Sequence, residues 1–267
     1  MSIVCGNITD FLEEIAPQSL AEEWDNVGLL VGSMGREVRR VLICLDVTPE
    51  VVEEAVEKKA ELIVSHHPVI FKGIKRISED EPRGSLMVRL LKHGICVYSA
   101  HTNLDVAQGG VNDVLAQRLG LKNLINFKDY GLPDKTGFQH GLGKVGFLEE
   151  KLQLDDFAKK VKTALGIEYV RVVGNMAASI QKVAVFCGSF DDDLESLRRH
   201  GADVLVTGDV KYHTAVDVLQ MGKFVIDAGH FNTEKVVLPA LKEQLMKSFP
   251  GLEVFCSTME KDPFSTY

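Results

Sequence analysis

Short β-branched and leucine-rich runs recur along the chain, separated by stretches of helical periodicity. Val38 to Leu45, Leu62-Ile63-Val64, Ile95-Cys96-Val97-Tyr98, Val204-Leu205-Val206 and Phe224-Val225-Ile226 are too short for buried helices and, apart from Arg39 and Arg40, apolar at successive positions. Runs of this kind read as parallel strands covered on both faces. Helix signals fill the gaps. Thr48-Pro49-Glu50 offers a cap, a proline at the first helical position and an acid at the positive dipole end, opening a helix to about Ala60. Residues 84–93 and Asn112 to about Leu119 read as further helices, and Thr9 or Asp10 is expected to cap a first helix running through Ile15. Strand, helix, strand, helix, strand is the rhythm of a parallel sheet.

The stretch from Lys122 to Gly146 breaks this rhythm with Pro133 and five glycines, and it reads as an irregular crossing between domains. Beyond it, Val145–Leu148, Tyr169–Val173, Val183–Phe186 and Val254-Phe255-Cys256 are expected strands. Leu154–Leu165, the region near Asp193–His200, Thr214–Met221 and Glu234 to about Lys247 are expected helices. The fold class this predicts is α/β, with two α/β lobes built on largely parallel sheets. Residues 1–125 are expected to form the first lobe and 126–267 the second, with the final segment packing back on the first.

The polar residues that end the apolar runs carry the chemistry. Leu62-Ile63-Val64 leads into Ser65-His66-His67-Pro68, and Ile95 to Tyr98 into His101-Thr102-Asn103-Leu104-Asp105. Val204 to Val206 leads into Thr207-Gly208-Asp209 and then His213, and Phe224 to Ile226 into Asp227-Ala228-Gly229-His230 and then Glu234. In open α/β sheets ligands gather outside the carboxyl ends of the strands, so these residues are expected to share one site in the cleft between the lobes. Imidazole with carboxylate is a ligand set for a divalent transition metal.

Each piece alone has an ordinary explanation. His66-His67 would pass for a surface pair, His101 with Asp105 for a turn, and His230 with Glu234 for a helix-start ion pair. Their joint placement after strands is what favours a metal site. Successive side chains on an extended chain point to opposite faces, so His66 and His67 are expected to reach two metals rather than one. Asp105 or Glu234 would bridge such a pair, which lowers the pKa of a bound water and clamps the attacking and leaving oxygens. His213 is expected to support the ligands or transfer protons. Asp209 and Asp227 are weaker candidates.

Bulk properties narrow the partners. Net charge is −8, which disfavours general nucleic-acid binding. The cationic stretch Phe71-Lys72-Gly73-Ile74-Lys75-Arg76 suits a small anionic substrate such as a nucleotide, and Trp24-Asp25-Asn26 offers stacking or hydrogen bonding to a ring. Five dispersed cysteines without a C-x-x-C spacing, an N-terminus lacking a secretion signal and no apolar run near the roughly 20 residues of a membrane span predict a cytoplasmic protein without membrane partners.

Taken together, Trp24-Asp25-Asn26-Val27-Gly28-Leu29, Ser65-His66-His67-Pro68, His101 to Asp105, Thr207-Gly208-Asp209 with His213, and Asp227-Ala228-Gly229-His230 with Glu234 resemble the Nif-three-like family, often labelled GTP cyclohydrolase I type 2 homologues. The resemblance extends over essentially the whole chain, to Asp262-Pro263-Phe264. It implies a two-lobed α/β fold, a ring-shaped homohexamer and a dinuclear centre of two divalent metal ions per chain. Carried over by residue, the ligands are His66, His67, Asp105, His230 and Glu234, with His101 adjacent. Zinc, iron, manganese and nickel all suit this set. Some members carry a long insertion between the lobes, which is expected to be absent here. The turn Cys187-Gly188-Ser189-Phe190, followed by Asp191 to Asp193, departs from the family's Gly/Ser-rich pattern and argues against phosphate binding there.

The function these readings predict is that of a dinuclear-metal hydrolase, performing either GTP ring opening with formate release or phosphoester hydrolysis, with His101 and His213 as catalytic candidates. The alternatives are a non-catalytic metal-binding scaffold or regulatory protein working as a ring, and a metal-handling protein with labile metal.

Overall fold

A computed structural model of the chain describes residues 2–131, 133, 137–190 and 192–265. In chain order the first elements are α1 (Cys5–Ile15), β1 (Gly28–Val31), β2 (Arg40–Cys44), α2 (Pro49–Lys58), β3 (Leu62–Ser65), α3 (Pro82–His93), β4 (Cys96–Ser99), α4 (Thr102–Val106) and α5 (Val111–Arg118). There follow β5 (Lys122–Asp129), β6 (Gly141–Gln153), α6 (Leu154–Leu165), β7 (Arg171–Val173), β8 (Ser179–Ser189) and α7 (Leu194–His200). The last are β9 (Val204–Gly208), α8 (Tyr212–Gln220), β10 (Phe224–Asp227), α9 (His230–Glu234), α10 (Val237–Ser248) and β11 (Glu253–Cys256). They form two compact units, Met1–Leu104 with Leu238–Tyr267, and Asp105–Val237.

The first unit is built on a five-stranded sheet of order β1-β4-β3-β2-β11. Its pairings are parallel except for the antiparallel edge strand β1. Register places Cys44 opposite Ser65 and Ser65 opposite Ser99, so the carboxyl ends of β2, β3 and β4 stand level. Leu42, Ile63 and Val97 pack with Val51, Val52 and Ala55 of α2 and Leu90 of α3 into one core. Helix α2 starts as its sequence dictates: Thr48 Oγ1 accepts a hydrogen bond from Val51 N at 3.3 Å, and Pro49 takes the first turn. Helix α1 starts earlier than Thr9, because the Asn7 side chain accepts from Val4 N at 3.0 Å. Thr9 lies inside that helix, its hydroxyl donating to the Cys5 carbonyl at 3.0 Å.

The second unit is built on a six-stranded mixed sheet of order β5-β6-β8-β9-β10-β7, parallel only across β8, β9 and β10. Phe127, Phe186 and Phe190 join Val145, Leu205 and Val225 in its core. The two ends of the glycine-rich stretch from Lys122 are regular strand, β5 pairing antiparallel with β6, while residues 132 and 134–136 lie outside the described residues. Five of the eight β5 residues are exposed and one, Phe127, is buried, so no apolar run announces this edge strand. Strand β6 likewise extends well beyond Val145–Leu148 and β8 beyond Val183–Phe186, continued by their mutual antiparallel ladder. Helix α5 and strand β5 belong to this second unit, and the division falls inside α4, between Leu104 and Asp105.

All five cysteines are unpaired by disulfide, and Cys5, Cys44, Cys96 and Cys187 are buried. Among the described residues, no helix is long and apolar enough to cross a membrane.

Candidate functional site

In the first unit, the level ends of β2, β3 and β4 bring three histidines together. One ligand atom from each of His66, His67 and His101 lies within 4.8 Å of the others. The ring centroids are 5.0 Å apart for His66 and His67, 5.2 Å for His66 and His101, and 5.5 Å for His67 and His101. The adjacent pair therefore converges instead of facing apart. Strand β3 ends at Ser65, so strand alternation no longer governs His66 and His67, and Ser65 Oγ donates to the His67 carbonyl at 2.9 Å to hold the bend.

Each ring is anchored through Nδ1. His66 Nδ1 lies 2.8 Å from the Ala100 carbonyl, His67 Nδ1 2.9 Å from Asp46 Oδ1, and His101 Nδ1 2.9 Å from Asp25 Oδ1. With Nδ1 donating, the neutral imidazole offers the Nε2 lone pair, the arrangement by which supporting acceptors set the tautomer of metal-ligating histidines. Asp25 is the best held of these acceptors. Its side chain is 0% exposed, and it accepts from Thr102 N at 3.1 Å and Thr102 Oγ1 at 2.5 Å. Burial works against its charge, but His101, Thr102 and Asn26 N–H outweigh that and bring the carboxyl down to about 2. Asp46 is itself positioned by the C-terminal segment: Glu260 Oε1 accepts from Leu45 N at 2.6 Å and Asp46 N at 2.7 Å. Burial, aided by the Asp46 charge, pushes Glu260 up to about 7.

In the second unit, β9 and β10 deliver the other half of the expected set. His230 and Glu234 occupy one turn of α9, with His230 Nε2 3.1 Å from Glu234 Oε1. His230 Nδ1 is 2.8 Å from Asp209 Oδ2. Glu234 and then Asp209 push the imidazole up to about 9 against the opposing effect of burial. Asp209 sits at φ +53°, a left-handed conformation that turns the chain directly after β9. Asp105 Oδ1 accepts from Cys187 Sγ at 3.1 Å, and Asn112 braces both residues, donating to the Asp105 carbonyl at 3.0 Å and accepting from Cys187 N at 2.9 Å. Burial raises the Cys187 thiol well above its ordinary value, and the charges of Asp105 and Glu234 add to it. The two carboxylates thus flank one thiol. Gly188 has φ +61°, and a Cβ there would collide with Glu234 Oε1, so glycine makes the room this carboxylate occupies.

Other expected residues stand apart. His213 is exposed at the start of α8, in edge contact with Tyr212, and belongs to neither grouping. Asp227 accepts from Val210 N and Gly229 N and pairs with Arg171, which holds the turn before α9. Asp191 lies outside the described residues; Asp192 accepts from Thr214 Oγ1 at 2.7 Å and Lys211 Nζ at 2.7 Å, and Asp193 caps α7. Sequence reasoning did not single out Asp46, Glu260 or the Cys187 contact to Asp105. Only Asp46 carried a signal, as the acid that follows a strand level with the histidine-bearing ones.

The imidazole and carboxylate groups are of the kind that bind a divalent metal, and their presented nitrogens and burial fit one. The family model for Duf34/NIF3 (NGG1p interacting factor 3) matches residues 3–263. The chain is 38% identical to the GTP cyclohydrolase 1 type 2 homolog of Clostridium acetobutylicum, across 99% of both chains. It is 31% identical to the homolog of Halalkalibacterium halodurans, across 97% of both. That second alignment runs over 363 positions, so this relative carries segments that the present chain lacks. A Bacillus cereus protein related to NIF3 superposes with a TM-score of 0.94 at 29% identity, covering 100% of this chain and 99% of that one. Motifs, sheet architecture and whole-length similarity agree that the chain belongs to the NIF3 family.

Proposed function

We propose that this protein is a divalent-metal-dependent hydrolase holding two metal ions per chain through His66, His67, Asp105, His230 and Glu234. The observation that carries the reading is the convergence of His66, His67 and His101 with every Nδ1 held by a fixed acceptor. A capping or packing role asks for no such shared orientation, whereas metal ligation does. Divalent metals bound by these groups supply Lewis acidity, which lowers the pKa of water and stabilises charge on a leaving oxygen.

The chain's own residues do the rest. Asp46, Asp25 and the Ala100 carbonyl keep His67, His101 and His66 in one tautomer, and Asp209 orients His230 through Nδ1. Cys187 and Asn112 hold Asp105 in place. His101, braced by Asp25, is an acid–base pair able to take a proton at Nε2 while the buried carboxylate stabilises the resulting cation. The name shared by the relatives points to ring opening of GTP, which releases formate; phosphoester hydrolysis would release phosphate.

The test is elemental analysis of untagged protein beside a His67→Ala, Glu234→Ala variant, followed by formate and phosphate assays with GTP. About two metals per chain, absent from the variant, with metal-dependent product that an Asp105→Ala variant does not make, is the expected result. No metal taken up on titration, or normal turnover by Asp105→Ala, refutes the proposal.

A further inference from the structure

Beside the three histidines the first unit carries a surface that neither metal ligation nor core packing accounts for. Trp24, the chain's one tryptophan, is 58% exposed. Its ring centroid lies 5.7 Å from that of Phe71, itself exposed, and 6.0 Å from that of His101. The segment that follows it is fixed by two residues. Asp25 binds His101 and Thr102, and Asn26 Nδ2 donates to the Ile70 carbonyl at 2.5 Å. An indole is thus held in water between an imidazole of the site and the start of the next loop, although nothing in the first unit's core requires it there.

That loop leads from Phe71 directly into a cavity of about 400 Å³. Its lining includes Lys72, Lys75, Arg76 and Arg83 against a single acid, Glu81. Arg76 Nε donates to Glu81 Oε1 at 2.9 Å, which fixes the guanidinium. Gly84, in the first turn of α3, lets the chain fold tightly on itself, since a Cβ there would collide with the Ser78 backbone. The cavity therefore has a fixed wall at the start of α3, with no acidic residue in that helix's first turn. Such a concentration of cations, in a chain of net charge −8, opposes the overall field and marks an anion site.

We propose that Lys72, Lys75, Arg76 and Arg83 bind the phosphates of a nucleotide whose planar ring stacks on Trp24 and Phe71 beside His101. A flat heteroaromatic ring gains from stacking on exposed aromatic faces, and phosphates gain from paired lysine and arginine donors. A ring held against Trp24 lies next to the imidazoles that the hydrolase reading puts at the reacting centre. In naming the substrate class, the inference rests on that reading.

Because Trp24 is the one tryptophan, its fluorescence reports on this surface alone. Chelator-treated, metal-free protein is titrated with GTP and ATP, with sodium tripolyphosphate as competitor, and a Lys75→Glu, Arg83→Glu variant is treated alike. Both substituted positions are exposed, and matching circular dichroism confirms an intact fold. The expected result is saturable quenching by nucleotide, competition by tripolyphosphate, and a Kd raised at least tenfold in the variant with a shallower salt dependence. Absent quenching, or a variant that binds like the parent, overturns the proposal, as does a blue-shifted emission that nucleotide does not move. Metal binding is measured separately on both proteins. A chain that takes up metal and turns over substrate yet fails the titration retains the hydrolase reading and loses the subsite. A chain that passes the titration but takes up no metal retains the subsite and loses the hydrolase.

Discussion

Replacing Asp25 by asparagine removes the charge that holds His101 while keeping shape and size. The carboxylate accepts from His101 Nδ1 and Asn26 N through one oxygen, and from Thr102 N and Oγ1 through the other. An amide can serve one of these sets only. With its carbonyl toward His101, its NH2 faces the Thr102 N–H, leaving a buried donor unmatched at a cost of about 1 kcal/mol. The charge is the larger loss. The carboxyl is brought from an ordinary 3.8 to about 2 by its donors. At 1.36 kcal/mol per pKa unit this is about 2 kcal/mol of folding free energy. The side chain is fully buried, so solvent screening does not reduce it.

The expected loss on Asp25→Asn at pH 7 is therefore about 3 kcal/mol in all. The charge contribution depends on pH with a definite sign. The folded carboxyl binds its proton less tightly than the unfolded one, so the contribution is complete above about pH 4 and disappears as pH falls to 2. Urea denaturation of metal-free parent and variant at pH 7, 5, 4 and 3 measures this directly. The gap should be widest at neutral pH and narrow toward pH 3. Equal stability at pH 7, or a gap that does not change with pH, would refute the argument that an ionised Asp25 orients His101.

Three further outcomes follow from the same geometry. In metal-free protein His230 is pushed up to about 9, chiefly by Glu234, and must release that proton to ligate; apparent metal affinity should rise about tenfold per pH unit between 6 and 8, and chelator competition showing no pH dependence would contradict it. Gly188→Ala introduces a side chain at φ +61° and against Glu234 Oε1, so it should destabilise by about 1–3 kcal/mol and weaken metal uptake; a thermal midpoint and metal content like the parent's would count against the assigned role. Glu54 is buried, yet the Ser257 hydroxyl and the N–H and hydroxyl of Thr258 hold its carboxyl below the ordinary range, outweighing burial. Glu54→Gln should therefore lower stability by about 1–2 kcal/mol at pH 7, with the deficit shrinking as pH falls below about 4.5, and calorimetry showing a deficit that grows in acid would reverse the sign of the argument.

The histidines of the candidate site were legible before any fold was known because each is local to a strand end. His66 and His67 follow the apolar run of β3, His101 that of β4, and His230 that of β10, and short apolar runs identify buried strands without reference to the rest of the chain. The spacing of His230 and Glu234 likewise states that they share a helical face. The edge strand β5 was not legible, since its residues alternate toward solvent and its identity comes from the partner strand β6. Nor was the assignment of α5 and β5 to the second unit, because a chain's pattern of elements does not say which sheet an edge strand joins.

The amino-acid sequence by itself determined which side chains end the strands, the helix caps that separate those strands, and the family to which the whole chain is similar. Tertiary structure alone decided how those side chains are aimed. Asp25 and His101 are 76 residues apart, Asp46 and His67 are 21 apart, and Glu260 reaches Leu45 across 215. These contacts exist because strand register sets Cys44, Ser65 and Ser99 side by side and because β11 pairs with β2 at the other end of the chain. Register is set by which faces of many strands are buried together, a property of the packed sheet that no single segment contains.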